Sequence, residues 1–301
     1  MTRPRSELID REQGGFYHLG SRCVRRAMLC GEDPVTGRDF SHRRAWIEDR
    51  LLELAEIFTV HVYAYAVMSN HYHITVDYRP QERLEFTDEE VARRWLRLFP
   101  PHPDQALEQA MLGLLDDAER LATLRDRLGD LSWYMRCLNE PIARRANRED
   151  DCTGRFWQGR FCSKELPNDR SVWACMAYDD LNPLRAGMAD AVDAPEHTSL
   201  QRRLEEAEED PERLEEPLAP LVRRAGRPVS APLPAPRLEM TLRAYRAHVE
   251  WTGGSLNNAC VSEGRAPPDQ LHDPPSWLAL VASHRQRACT LTLPRWVRAE
   301  A

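Results

Sequence analysis

Two histidines flanking one aromatic residue, His71 and His73 in SNHYHITVDY (69–78), are the residues whose types and spacing most plainly suit chemistry. In an extended strand side chains alternate faces, so both imidazoles point one way and Tyr72 points the other, with Ile74, Val76 and Tyr78. Two imidazoles on one face can grip a metal ion. Such a pair also serves as ordinary half-buried polar packing, and a metal site needs a third ligand. The run AYDDLNPLRAG (177–187) offers one: Tyr178 and Asn182 are four apart, so on a helix a phenol and a carboxamide share a face. The competing reading is a core aromatic followed by a helix C-cap. Asp179 and Asp180 are expected on the exposed side, either being available as an outer partner. A third place is GRFWQGRF (154–161), which alternates like a strand with one apolar side and another that could meet phosphates or stacked bases; Arg155, Trp157, Gln158 and Arg160 are its candidates for nucleic-acid contact. Upstream, ARRANRE adds Arg144, Arg145 and Arg148; solvated faces are the plainer reading of such charges.

These residues need elements to hold them. FYHLGSRC (16–23) reads as a first strand and 41–58 as an amphipathic helix. Segments 59–68 and 71–78 read as strands joined tightly at Ser69-Asn70. The histidine pair therefore sits beside a turn. Residues 80–130 are charged, amphipathic and helical, with PPHP as a breaker, and read as an insertion. A helix over 131–149, a strand or strand pair over 154–166 and a capped helix over 168–187, ending near Asn182-Pro183, complete the order β–α–β–β–α–β–α. That order predicts an α+β fold, a split antiparallel sheet with helices against it. Beyond residue 200 come a charged, exposed helix, a proline-rich linker (227–237) and a small helical tail.

Composition narrows the partners. The net charge of −7 argues against coating duplex DNA through a general positive field, although residues 132–164 hold seven basic against four acidic residues. Apolar runs are far shorter than a membrane span and the first residues lack a signal-peptide core, so the expectation is a cytoplasmic protein without a membrane partner. The eight cysteines form no CxxC pair and read as reduced structural thiols.

Taken together and in order, FYHLGSR, AYAVMSNHYHI, RFWQGRF and AYDDLNPLRAG resemble the single-tyrosine HUH transposases, specifically the REP-associated tyrosine transposase-like group. The resemblance spans about residues 14–200, with 80–130 inserted, and leaves 201–237 and the helical tail 238–301 uncovered. It implies a ferredoxin-like sheet carrying the histidines, with the tyrosine on a helix across from them. It further implies that His71, His73 and Asn182 hold Mg²⁺ or Mn²⁺. Tyr178 would then attack phosphorus in single-stranded or hairpin DNA, giving a 5′-phosphotyrosine and a free 3′-hydroxyl. Phosphodiester energy is conserved, in keeping with the lack of a GxxxxGK[ST] loop. On this reading the protein associates with the nucleoid when bound to DNA. It leaves open a homodimer with the tyrosine supplied in trans, and either continued mobility or retention for one class of genomic hairpin. The alternatives are a non-cleaving protein that binds structured nucleic acid, and a hydrolase with a metal-activated water.

Overall fold

The computed structural model describes residues 4, 7–24, 29–33, 36–188, 197–223, 237–256, 266–268, 271 and 273–287. Four antiparallel strands, β1 (Gly15–Arg22), β2 (Val60–Val67), β3 (His71–Tyr78) and β4 (Cys162–Leu166), lie in the order β2-β3-β1-β4. With α1 (Arg43–Ala55) and α5 (Leu131–Glu149) as the crossovers, this is the βαββαβ arrangement of a ferredoxin-like sheet. Both α1 and α5 pack on one face.

Strand alternation decides what each face buries. Tyr72, Ile74, Val76 and Tyr78 enter one apolar cluster, shared with Ile47, Leu51, Tyr134 and Leu138. The inserted helices α2 (Asp88–Leu98), α3 (Leu107–Leu115) and α4 (Ala118–Leu128) join that cluster through Val91, Leu114, Leu121 and Leu124. They therefore pack away from the histidine face. The second face is covered by α6 (Asp169–Arg185), with α8 (Leu242–Leu256) and α9 (Pro274–Arg287) against it, around Val172, Met176, Leu181, Tyr245, Trp277 and Val281. A bulge between Val62 and Ala64 puts Tyr63 and Ala64 consecutively on this second face.

Several elements depart from what the pattern predicts. The second amphipathic stretch is two helices, broken where Asp117 caps α4 by accepting from the Arg120 amide. Helix α6 continues through Pro183 to Arg185, its start fixed by a capping box between Asn168 and Ser171 and Pro183 itself buried. Helix α7 (Ser199–Glu209), expected to be exposed, buries Leu200, Arg203 and Ala207, and Arg203 donates to the Tyr63 carbonyl at 3.0 Å. Asp180 too is buried: it accepts from Ser199 Oγ (2.7 Å), the Leu200 amide (2.9 Å) and the Tyr245 hydroxyl (2.5 Å), joining α6, α7 and α8. Cys23, Cys30, Cys137 and Cys175 are buried free thiols, but Cys162 is disulfide-bonded, unlike the reduced set expected. The linker read at 227–237 lies outside the described residues except for Arg237. Among the described residues no helix is long and apolar enough to cross a membrane.

Glu48 of α1 accepts from Tyr65 of β2 (2.8 Å), meets His197 Nδ1 at 2.7 Å and pairs with Arg202 of α7. Burial alone would raise its carboxyl pKa, but His197 and Tyr65 outweigh it and hold the pKa below the ordinary value near 4.5. A depressed carboxyl pKa stabilises the fold above the unfolded value, and that stabilisation disappears as pH falls through the folded one. In urea unfolding, the stability gap between wild type and Glu48→Gln is expected to be full at neutral pH and to shrink below about pH 4.5. A gap independent of pH would mean that the ionised carboxylate contributes nothing.

Candidate active site

The antiparallel register sets the site. On β3, His71, His73 and Thr75 face α6; on β1, their partners in register are Arg22, Gly20 and His18. Gly20 keeps the space beside His73 open: a Cβ there would stand 3.0 Å from the Tyr72 carbonyl oxygen and 3.6 Å from His73 Nδ1. The His18 and His73 rings stack at 5.0 Å, with His18 Nε2 3.1 Å from His73 Nδ1. The His71 ring stands edge-on to His73 at 4.7 Å, its Nδ1 against Asn70 Oδ1. Across from them Tyr178 of α6 meets His73 at 5.6 Å and His18 at 6.2 Å, both edge to face. The sequence-derived trio of His71, His73 and Tyr178 is thus brought together, with Asn182 one turn further along the same helix.

The electrostatics follow from burial. Desolvation, then the Arg22 charge, lowers His71 to about 4. Desolvation and then the neighbouring imidazoles hold His73 well below its ordinary value, so both rings are neutral. His18 behaves oppositely: burial would lower it, but the Cys175 sulfur and the Asp179 carboxylate, 3.1 Å from Nε2, hold it well above. Burial, reinforced by the Asp179 charge, pushes Tyr178 up to about 12, against a smaller opposing pull from Asn182. The phenol is therefore protonated at neutral pH and cannot act as a free phenolate.

Asp179, expected near the surface, is fully buried and accepts from Thr75 Oγ1 at 2.8 Å. Sequence reasoning also passed over His18. Its signal was available, since the alternation of FYHLGSR puts His18 and Gly20 on one face, the face that antiparallel pairing matches to His73 and Thr75. His284 of α9, 6.1 Å from both Tyr178 and His18, carried no comparable signal.

GRFWQGRF is not a strand before Cys162. It is a loop with Gly154 at φ 102°, moored by the Gln158 amide to the Arg22 carbonyl (2.8 Å) and by Trp157 Nε1 to the Asn139 carbonyl (2.8 Å). Because Arg22 pairs with His71, this loop lies at the histidine end of the sheet; Arg155 and Arg160 are exposed there. Arg144 and Arg145 sit elsewhere, on α5 across the sheet from α6. Arg144 pairs with Glu140, and the Arg145 guanidinium lies 3.6 Å over the Trp46 ring.

The residues present suit a divalent ion. His73 Nε2 is buried without a hydrogen-bond partner, which leaves an imidazole nitrogen open to an ion, and Asn182 could add its Oδ1, the only metal-binding atom of a carboxamide. Neutral imidazoles and a carboxamide leave an ion's charge undiminished for a phosphate, although so nitrogen-rich a set suits Mn²⁺ better than Mg²⁺.

No protein-family model matches the chain, and no curated protein matches its sequence significantly. Among solved structures, the chain is similar to a REP-associated tyrosine transposase bound to a REP hairpin, at 13% identity and a TM-score of 0.42, over 77% of this chain and 100% of that one.

Proposed function

We propose that the protein cleaves and rejoins single-stranded or hairpin-bearing DNA through a covalent bond to Tyr178. The observation that carries this reading is the Tyr178 ring on α6, 5.6 Å from His73 and facing the histidines of β1 and β3. Tyr178 Oη attacks phosphorus, a P–O bond forms, and the bond from phosphorus to the 3′ oxygen breaks. The departing oxygen takes a proton to become a 3′-hydroxyl, and the phenolic proton passes to solvent or a neighbouring base. Held by His71, His73 and Asn182, Mg²⁺ or Mn²⁺ would supply positive charge at the scissile phosphate. His18, fixed by Asp179, buttresses His73 from the adjoining strand. Reversal of the attack by a different 3′-hydroxyl joins new strands.

Incubation of labelled hairpin-bearing single strands with Mn²⁺, Mg²⁺ or EDTA tests the reading on a denaturing gel. A nick that requires the ion is expected; binding without any nick across many hairpins would favour a non-cleaving nucleic-acid-binding protein. That second reading has one observation in its favour, since Tyr178 is only 5% exposed and His284 of α9 lies against it.

The placement of the arginines makes a further prediction. Arg155→Ala is expected to weaken single-strand binding severalfold and flatten its salt dependence by about one phosphate contact, whereas Arg144→Ala leaves both unchanged. Fluorescence anisotropy across a salt series checks this, and equal effects would remove the loop's assigned role.

A further inference from the structure

One cluster supplies neither nucleophile nor ion ligand to the proposed phosphoryl transfer, and of its members only His18 touches that site, as a support for His73. His18 of β1, Cys175 of α6 and His284 of α9 each offer a ligand atom, and the three atoms lie within 4.8 Å of one another. All three residues are buried, at 5%, 0% and 1% exposure, on elements that converge from distant parts of the chain. Cys175 is a free thiol, and two imidazoles from different elements converge on it, a donor set suited to a soft or borderline metal ion.

We infer that His18, Cys175 and His284 form a thiolate–imidazole metal site, of the class that takes Zn²⁺, fastening α9 to α6 and the sheet. Ligand type selects the ion. A sulfur donor is poorly matched to Mg²⁺ or Ca²⁺, whereas one Cys with His ligands is a common set for Zn²⁺. Zinc bonds of about 2.0–2.3 Å in a tetrahedron put ligand atoms about 3.3–3.8 Å apart, so closure around an ion needs contraction of only about an ångström. Supporting groups are already in place. Asp179 lies 3.1 Å from His18 Nε2, the carboxylate partner that orients a metal-bound imidazole. Thr75 Oγ1 lies 2.8 Å from Asp179 Oδ2 and 3.4 Å from Cys175 Sγ, bracing both residues of that helical turn. Binding would exchange the Cys175 thiol proton for the ion. The site is separate from the one assigned to His71, His73 and Asn182, although His18 stacks on His73 and joins the two.

Cobalt substitution of the full-length protein tests this without any DNA, so its failure is distinguishable from failure of the phosphoryl-transfer reading. One equivalent of Co²⁺ is expected to give an intense near-ultraviolet sulfur-to-cobalt band, displaced stoichiometrically by Zn²⁺. Cys175→Ser should abolish the band, His284→Gln should weaken cobalt binding by about 100-fold or more, and His71→Ala should leave the band unchanged. Circular dichroism confirms that each variant is folded, and His284→Gln, which leaves the central sheet and α6 intact, keeps the test decisive if Cys175→Ser does not fold. No sulfur band in the wild type, a band that survives Cys175→Ser, or undiminished binding in His284→Gln would overturn the assignment.

Discussion

Tyr178→Phe is expected to abolish both nicking and the protein–DNA adduct, with a rate loss of at least about 10⁴-fold, the scale seen when a covalent nucleophile is removed. The substitution deletes one oxygen and keeps the ring that packs against His18, His73 and His284. Unfolding free energy should therefore change by less than about 1 kcal/mol, and DNA affinity should be nearly unaffected. This separation of activity from stability distinguishes the tyrosine mechanism from its rival. If a metal-activated water were the nucleophile, the phenol would be a bystander and Tyr178→Phe would cut at nearly the wild-type rate without an adduct. The raised pKa of about 12 sharpens the point: the proton must leave during attack, so loss of the groups around the phenol should slow chemistry more than binding. His73→Ala, which removes the imidazole nearest the phenol across the sheet, should reduce cleavage while leaving Tyr178 in place.

The largest structural effect is expected at Asp180. Its carboxylate accepts three hydrogen bonds, from Ser199, Leu200 and Tyr245, and is 1% exposed. Burial pushes its pKa up to about 6, against the pull of those donors, so at neutral pH it is a buried anion that depends on them. Asp180→Ala strands all three donors and opens a cavity. Each bond to a charged group contributes about 1.5–3 kcal/mol, so the expected loss is about 3 kcal/mol or more. Asp180→Asn retains an acceptor oxygen and should lose clearly less. Chemical denaturation followed by circular dichroism checks both, and a loss under about 1 kcal/mol for Asp180→Ala would show that α7 and α8 do not depend on this residue. The consequence for function is direct, because Asp180 lies two residues from Tyr178 on the helix that presents the phenol.

The parts of the site that were legible in the sequence are those fixed by short-range periodicity. A two-residue period puts His71 and His73 on one face, and a four-residue step puts Tyr178 and Asn182 on another; the structure has both. What the period cannot supply is the third dimension. Asp179 reads as exposed because it is an acid beside an acid, yet α6 is covered on two sides, by the sheet and by α8 and α9, so both Asp179 and Asp180 are enclosed. GRFWQGRF alternates like a strand, but tertiary mooring to Arg22 and Asn139 won over its local pattern. His284 is separated from His18 by almost the whole chain, and only packing brings them together. His18 was within reach, through the register that matches β1 to β3.

The central claim is that the phosphoryl group of DNA passes through Tyr178, and mass spectrometry of the trapped reaction tests it most directly. The protein is quenched during cleavage of a hairpin-bearing single strand with Mn²⁺, digested with nuclease and protease, and searched for a nucleotide-bearing peptide. A 5′-phosphonucleotide on the peptide containing Tyr178 is the predicted result. Cleaved DNA with no modified peptide, or with the nucleotide on another residue, would contradict the account.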